Sequence, residues 1–87
     1  MTPVYRVLID LDALASIPRS GQRRTSILAV IQGLSNHVDL GEDFEVTDPE
    51  TARPFQVSCI AGFAITWWID YPAQEVKVID IREAFRT

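Results

Sequence analysis

The stretch Arg53–Arg82, RPFQVSCIAGFAITWWIDYPAQEVKVIDIR, decides the fold. It holds three runs dense in β-branched and aromatic residues: Phe55–Ile60, Phe63–Tyr71 and Val76–Ile81. Ala61-Gly62 closes the first run and Pro72-Ala73-Gln74 the second. Valine, isoleucine, phenylalanine and tryptophan at period two, bounded by Gly and Pro turns, predict strands. Connections this short permit only antiparallel pairing, so the three form a meander. Alternation along Phe63–Asp70 sends Phe63, Ile65, Trp67 and Ile69 to one face. Ala64, Thr66, Trp68 and Asp70 point to the other. The first set is apolar and predicts the face that meets helices. On the last run Ile79 and Ile81 are expected inward, with Val78, Asp80 and Arg82 outward.

Upstream, the chain supplies the cover for that face. Val4–Leu11 alternates as a strand, with Tyr5, Val7, Ile9 and Leu11 on one side and Val4, Arg6, Leu8 and Asp10 on the other. Leu8 keeps the second side from being fully polar and predicts cover on both sides. Asp10 or Asp12 caps a short helical turn over Ala13–Ile17, and Pro18-Arg19-Ser20-Gly21 breaks it. From Gln22 to about His37 the apolar residues Ile27, Ile31, Leu34 and Val38, widened by Leu28 and Val30, follow a helical stripe with Ser20 as N-cap. Arg23 and Arg24 fall in its first turn, where the helix dipole disfavours cations. Solvated arginines at a helix end are the ordinary reading, and an interaction beyond helix propensity, such as contact with a partner, is the other. His37, the sole histidine, follows the last turn; a C-terminal cap or exposed loop residue is its ordinary reading and a catalytic role the alternative. Val38–Ala52 has six acids within twelve residues, with turns at Gly41 and Asp48-Pro49 and a short strand at Phe44-Glu45-Val46. These acids lack the order of a calcium loop and read as a solvated connection. The predicted architecture is α+β, β-α-α-β-β-β, a helical layer on one face of a mainly antiparallel sheet.

With 87 residues, 47% of them hydrophobic, a single domain over residues 1–87 with a small core is expected. A net charge of −4 argues against general nucleic-acid binding. Cys59 is the sole cysteine, which excludes a disulfide framework and a thiolate zinc site; it reads as a small buried strand residue. No phosphate loop, metal cluster or nucleophile–base pair is visible, and no cofactor is expected. The near-apolar run Ile60–Ile69 is too short to span a bilayer. No targeting segment is evident, so a cytoplasmic protein is expected.

The order and spacing of these elements resemble the RelE/ParE superfamily, toxins of bacterial type II toxin–antitoxin modules of the plasmid-stabilisation type. The likeness runs from Tyr5-Arg6-Val7 through Leu14-x-x-Ile17-Pro18-Arg19 and Gln22-Arg23-Arg24-x-x-Ile27 to Gly41-Glu42. It continues in Arg53-x-Phe55-x-Val57, Gly62-Phe63-x-Ile65-x-Trp67-x-Ile69-Asp70 and Val76-x-Val78-Ile79-x-Ile81. The resemblance implies an antitoxin partner and growth inhibition. RelE-like members are ribosome-dependent endoribonucleases that cut mRNA, whereas ParE-like members act on DNA gyrase. Where RelE-like chains often carry an arginine on the third strand, this chain has Ala64. Near Ala84, the place of a second arginine, it offers Arg82 or Arg86.

On the face opposite the helices, Trp68 stands among small and charged neighbours. Three readings remain open for it: docking of a partner, stacking on a base, and cover by the chain's own C-terminal segment with Phe85. If phosphate is bound, Arg53, Arg82 and Arg86 are the candidate charge clamps of a catalytic site. The ordinary role of a single exposed arginine is a surface salt bridge. Trp68, Arg23 and Arg24 are the candidate partner-binding residues, and no metal ligand is assigned. A catalytically inactive protein-binding module is the alternative. A homodimer and a toxin–antitoxin heteromer are both compatible with the sequence.

Overall fold

The computed structural model describes residues 4–35 and 44–84. In chain order its elements are β1 (Arg6–Ile9), α1 (Leu11–Ala15), α2 (Gly21–Gly33), β2 (Phe44–Thr47), β3 (Pro54–Ile60), β4 (Phe63–Asp70) and β5 (Glu75–Glu83). The sheet order is β1-β5-β4-β3-β2, with β1 parallel to β5 and every other pairing antiparallel. This is the predicted α+β arrangement, with Phe44–Thr47 as a full edge strand.

β4 runs through the middle of the sheet because its apolar period is the most regular. Phe63, Ile65 and Trp67 are buried from it, Val76, Val78 and Ile81 from β5. Ala13 and Ile17 join them from α1 and the turn after it, Ile27 and Ile31 from α2, and Leu34 from its C-cap. Trp67, Ile27 and Ile65 are each 0% exposed. The helices therefore sit on the face reached by Ile65 and Trp67, as the alternation requires.

β5 corrects the predicted phase. Thr66 pairs with Asp80 but Trp67 pairs with Val78, so Ile79 has no residue opposite it. This bulge inserts one residue and reverses the alternation beyond it. Val76 and Val78 point inward, Ile79 is 37% exposed, and Ile81 returns to the core. β1 differs as well. It ends at Ile9, Leu11 opens α1 as an exposed residue, and Leu8 is 41% exposed where cover on both sides was expected. Asp10 is the predicted cap of α1, its carboxylate accepting the Asp12 N–H at 3.0 Å.

α2 is shorter than the stripe suggested. Leu34 N–H donates to both Val30 and Ile31 carbonyls and Ser35 N–H to Gln32, which tightens and closes the helix after Gly33. Ser20 occupies the N-cap position without a side-chain capping bond. Gly21 follows with φ +90°, a conformation that favours glycine. Val38, His37, the first half of the acidic connection, Phe85 and Arg86 lie outside the described residues.

Ala61 (φ 54°) and Gly62 (φ 83°) make the two-residue turn between β3 and β4. Two positive φ values define the hairpin turn that prefers Asn-Gly, and Ala61 bears the left-handed strain. Ala61→Asn is expected to raise unfolding free energy by about 0.5–1 kcal/mol in urea titration. A β-branched residue, Ala61→Val, is expected to lower it.

Candidate functional site

The sheet's second face is built around Trp68. Register places Lys77 of β5 directly opposite it, and Arg53, just before β3, reaches it from the other side. The Arg53 guanidinium carbon lies 3.9 Å from the Trp68 ring centroid and the Lys77 Nζ 4.6 Å. Both are within cation–π range, so the half-buried indole carries one cation from β5 and one from the loop entering β3. Cover by this chain's own cations was not among the roles foreseen for Trp68. Base stacking on this ring would first require Arg53 or Lys77 to move.

The charges divide by depth. Lys77 pairs with Asp70 at 3.5 Å and Glu75 at 3.7 Å, and Arg6 also pairs with Glu75. Glu75 is nearly buried, and these two cations supply its compensating charge. Arg82 closes on Asp80 through two bonds, Nε to Oδ2 at 2.6 Å and Nη2 to Oδ1 at 3.2 Å. That contact holds the Arg82 pKa above its ordinary value. Arg53 differs: among the described residues no carboxylate lies within ion-pair distance of it. Stacked on a ring, its guanidinium is oriented and keeps N–H donors for an anion.

Arg53 is set in place by the β2–β3 loop. Asp48 N–H donates to Arg53 carbonyl at 2.9 Å, and Ala52 N–H donates to the Asp48 carbonyl at 2.8 Å. The Asp48 carboxylate accepts from Glu50 N–H at 3.1 Å and Thr51 Oγ at 2.9 Å. These two bonds, the first the larger, with help from the charge of Arg53, hold the Asp48 pKa below its ordinary 3.8.

The sequence candidates do not converge on one point. Arg82 stands opposite Ala64, four residues from Trp68 along β4, roughly 13 Å at strand rise. Its fork is occupied by Asp80, so Arg53 and Arg82 do not form a ready two-arginine phosphate clamp. Arg23 and Arg24 have intrachain partners at the start of α2. Arg23 Nε donates to the Ala61 carbonyl at 3.2 Å, its guanidinium lies 4.5 Å from the Phe63 centroid, and Glu83 is 3.8 Å away. Arg24 donates to the Pro18 carbonyl at 3.1 Å. These contacts explain two cations at an unfavourable helix end.

Lys77 was overlooked from sequence, although pairing β4 with β5 outward from the turn 71–74 places it against Trp68. Two shallow hollows flank Trp68. One, of about 200 Å³, is bounded by Glu45, Arg53, Gln56, Ile69 and Tyr71. The other, of about 280 Å³, is bounded by Leu8, Asp10, Lys77 and Ile79. Gln56 Oε1 and Trp67 Nε1 are buried without a hydrogen-bond partner among the described residues. No group of three His, Cys, Asp or Glu among these residues is arranged to hold a metal ion, and no helix is long and apolar enough to cross a membrane. The arrangement brings together oriented cations, an aromatic ring and two hollows, one of mixed polarity and one largely apolar.

The fold is similar to that of two solved structures. A chain of the archaeal RelE–RelB complex from Pyrococcus horikoshii OT3 matches over 100% of both chains, with TM-score 0.76 and 12% identity. A chain of the toxin–antitoxin complex RelBE2 from Mycobacterium tuberculosis matches over 92% of this chain and 98% of its own, with TM-score 0.60 and 14% identity. At these identities the likeness is one of fold, and the fold is RelE/ParE-like. No protein-family model and no curated protein sequence matches the chain.

Lowered in the folded state, the Asp48 pKa makes this carboxylate stabilising above its unfolded value, near 3.8. That contribution falls away as pH drops through the lower folded value. The Tm advantage of the wild type over Asp48→Asn is therefore expected to shrink between about pH 5 and about pH 2. A constant difference would mean that Asp48 does not latch the loop as a carboxylate.

Proposed function

We propose that this chain is the toxin-like component of a type II toxin–antitoxin module, neutralised by a cognate antitoxin. The observation that carries this reading is the end-to-end fold likeness to a chain of a RelE–RelB complex, at TM-score 0.76. The open face supports it: an oriented arginine beside a tryptophan and two hollows is suited to contact with another polypeptide.

For the toxic act, mRNA cleavage and a gyrase-type target are the two routes the fold resemblance suggests. Cleavage needs cations that stabilise the developing phosphate charge. Arg53 has its guanidinium available for that role; Arg82 would first have to leave Asp80, and Arg86 is the third candidate. Ala64 contributes no charge beside Arg82. The closed Arg82–Asp80 pair and Ala64 together favour a second reading, a catalytically inactive protein-binding module.

Expression with and without the adjoining gene separates these readings. The toxin reading predicts growth arrest only when the chain is produced alone, with new mRNA ends for cleavage and intact transcripts for a gyrase-type target. Growth unaffected in both cultures would reject a toxin and leave the inert module. Trp68→Ala is expected to weaken antitoxin binding by about 2 kcal/mol or more in calorimetric titration. Unchanged affinity would remove Trp68 from the interface.

A further inference from the structure

β1 closes one edge of the sheet, with β5 on one side and, among the described residues, no strand on the other. Its even-numbered residues serve the ladder to β5: Arg6 N–H donates to the Gln74 carbonyl and Asp10 N–H to the Val78 carbonyl, each at 2.9 Å. The odd-numbered residues point their backbone groups the opposite way. Tyr5 shows this directly, its N–H donating to the Ser35 carbonyl at 2.8 Å. Ser35 thus occupies the edge beside Tyr5, and the backbone groups of Val7 and Ile9 face outward beyond it.

The side chains on this short edge form a charge palindrome. Arg6 and Asp10 stand at its two ends and Leu8 at its centre, all three exposed and of one parity. Charges ordinarily protect an edge strand from pairing. Here they are of opposite sign, so antiparallel pairing with an identical edge turns protection into attraction. With Leu8 opposite Leu8, Arg6 of each copy meets Asp10 of the other. Val7 and Ile9 then exchange backbone hydrogen bonds, because both carry outward groups, and Leu8 falls in the non-hydrogen-bonded pair between them. A slip of one residue would set outward groups against inward ones and lose both ion pairs. Arg6 already holds Glu75, yet its side chain is 72% exposed and a guanidinium has donors for a second carboxylate. Asp10 caps α1 through Oδ2 and has Oδ1 to offer. β2, the other edge, reads FEVT with one acid and no cation, so self-pairing there gains no ion pair.

We infer that β1 joins two copies of this chain edge to edge, antiparallel about a two-fold axis at Leu8, so that their sheets become continuous. Such an interface is isologous, each contact occurring twice. On the open face Leu8 gains the cover that the single chain lacks, next to the hollow it lines with Ile79. On the helix face the partly buried Val7 and Ile9 are covered by Ile9 and Val7 of the second copy. Val4, 68% exposed, and Leu11, 80% exposed, come from opposite copies to the same end of the joint. A strand of four residues buries less than the roughly 800 Å² per partner of a standard interface. The dimer is therefore reversible, and its population rises with concentration. Trp68 and Arg53 lie two and three strands in from this edge and stay uncovered, so the inference stands apart from the toxin–antitoxin reading.

The test is sedimentation velocity of the full chain alone as a function of concentration. A monomer–dimer equilibrium is expected, weakened about tenfold or more by Leu8→Lys, which sets two like charges against each other on the axis. Asp10→Lys is expected to weaken it similarly, and Arg6→Asp combined with Asp10→Lys to restore it, all with wild-type circular dichroism. For the register, Leu8→Cys in a Cys59→Ser background is expected to oxidise to a covalent dimer. Residues facing each other in a non-hydrogen-bonded pair are about 4.5 Å apart at Cα, within disulfide reach. Leu14→Cys in the same background, exposed on α1, is expected to remain a thiol. A chain monomeric at every concentration would overturn the joint and leave the toxin–antitoxin reading standing. So would a dimer that Leu8→Lys leaves within twofold of wild type, a folded double variant that stays monomeric, or a Leu8→Cys chain that crosslinks no faster than Leu14→Cys.

Discussion

Alternation along β4 sends two adjacent tryptophans to opposite faces of one sheet, and the rest of the molecule follows from that division. Trp67 is fully buried against the helices with Ile65, while Trp68 lies on the open side under two cations. Burying roughly 200 Å² of indole stabilises by about 5 kcal/mol, an upper estimate because the unfolded chain also hides apolar surface. A one-residue slip would exchange the two rings and bring Thr66 and Asp70 to the core side. Register is therefore strongly determined here, and the identity of the open face is determined with it.

The open face is held by electrostatics arranged in depth. Carboxylates lie low on the sheet and cations above them, so Lys77, Arg6 and Arg82 each have a compensating charge. Arg53 is the exception, positioned by the Asp48 loop and by stacking rather than by a carboxylate. A guanidinium oriented in this way loses little side-chain entropy when an anion arrives. The same economy of contacts explains the start of α2, where Arg23 ties the helix to the β3–β4 turn through Ala61, Phe63 and Glu83. A cation disfavoured by the helix dipole is retained because it joins two layers.

The meander, the helical stripe and the buried set of β4 were legible because each rests on a local period that a sequence displays directly. The phase of β5 was not. Val76-Lys77-Val78-Ile79-Asp80-Ile81 is apolar at even positions up to Val78 and at odd positions from Ile79, and only its pairing with β4 shows that Ile79 is the extra residue. Of the site, Trp68 and Arg53 were visible as an outward tryptophan and a nearby arginine. Their stacking was not, because it depends on a loop bringing residue 53 alongside residue 68. The intrachain role of Arg23 was concealed for the same reason: Ala61, Phe63 and Glu83, its partners, are all distant in sequence, the nearest by 38 residues. Side chains whose roles are decided by nonlocal pairing leave only an anomaly in the sequence, here two arginines at the wrong end of a helix.

Everything proposed for the open face of this RelE/ParE-like fold depends on Trp67 and Trp68 having opposite environments. Two single-tryptophan proteins, Trp68→Phe and Trp67→Phe, measure this directly by fluorescence quenching. The remaining Trp67 is predicted to emit to the blue and to resist both iodide and caesium. The remaining Trp68 is predicted to be quenched, more strongly by iodide than by caesium because cations surround it. Equal quenching of the two, or a Trp67 more accessible than Trp68, would contradict the assignment of faces.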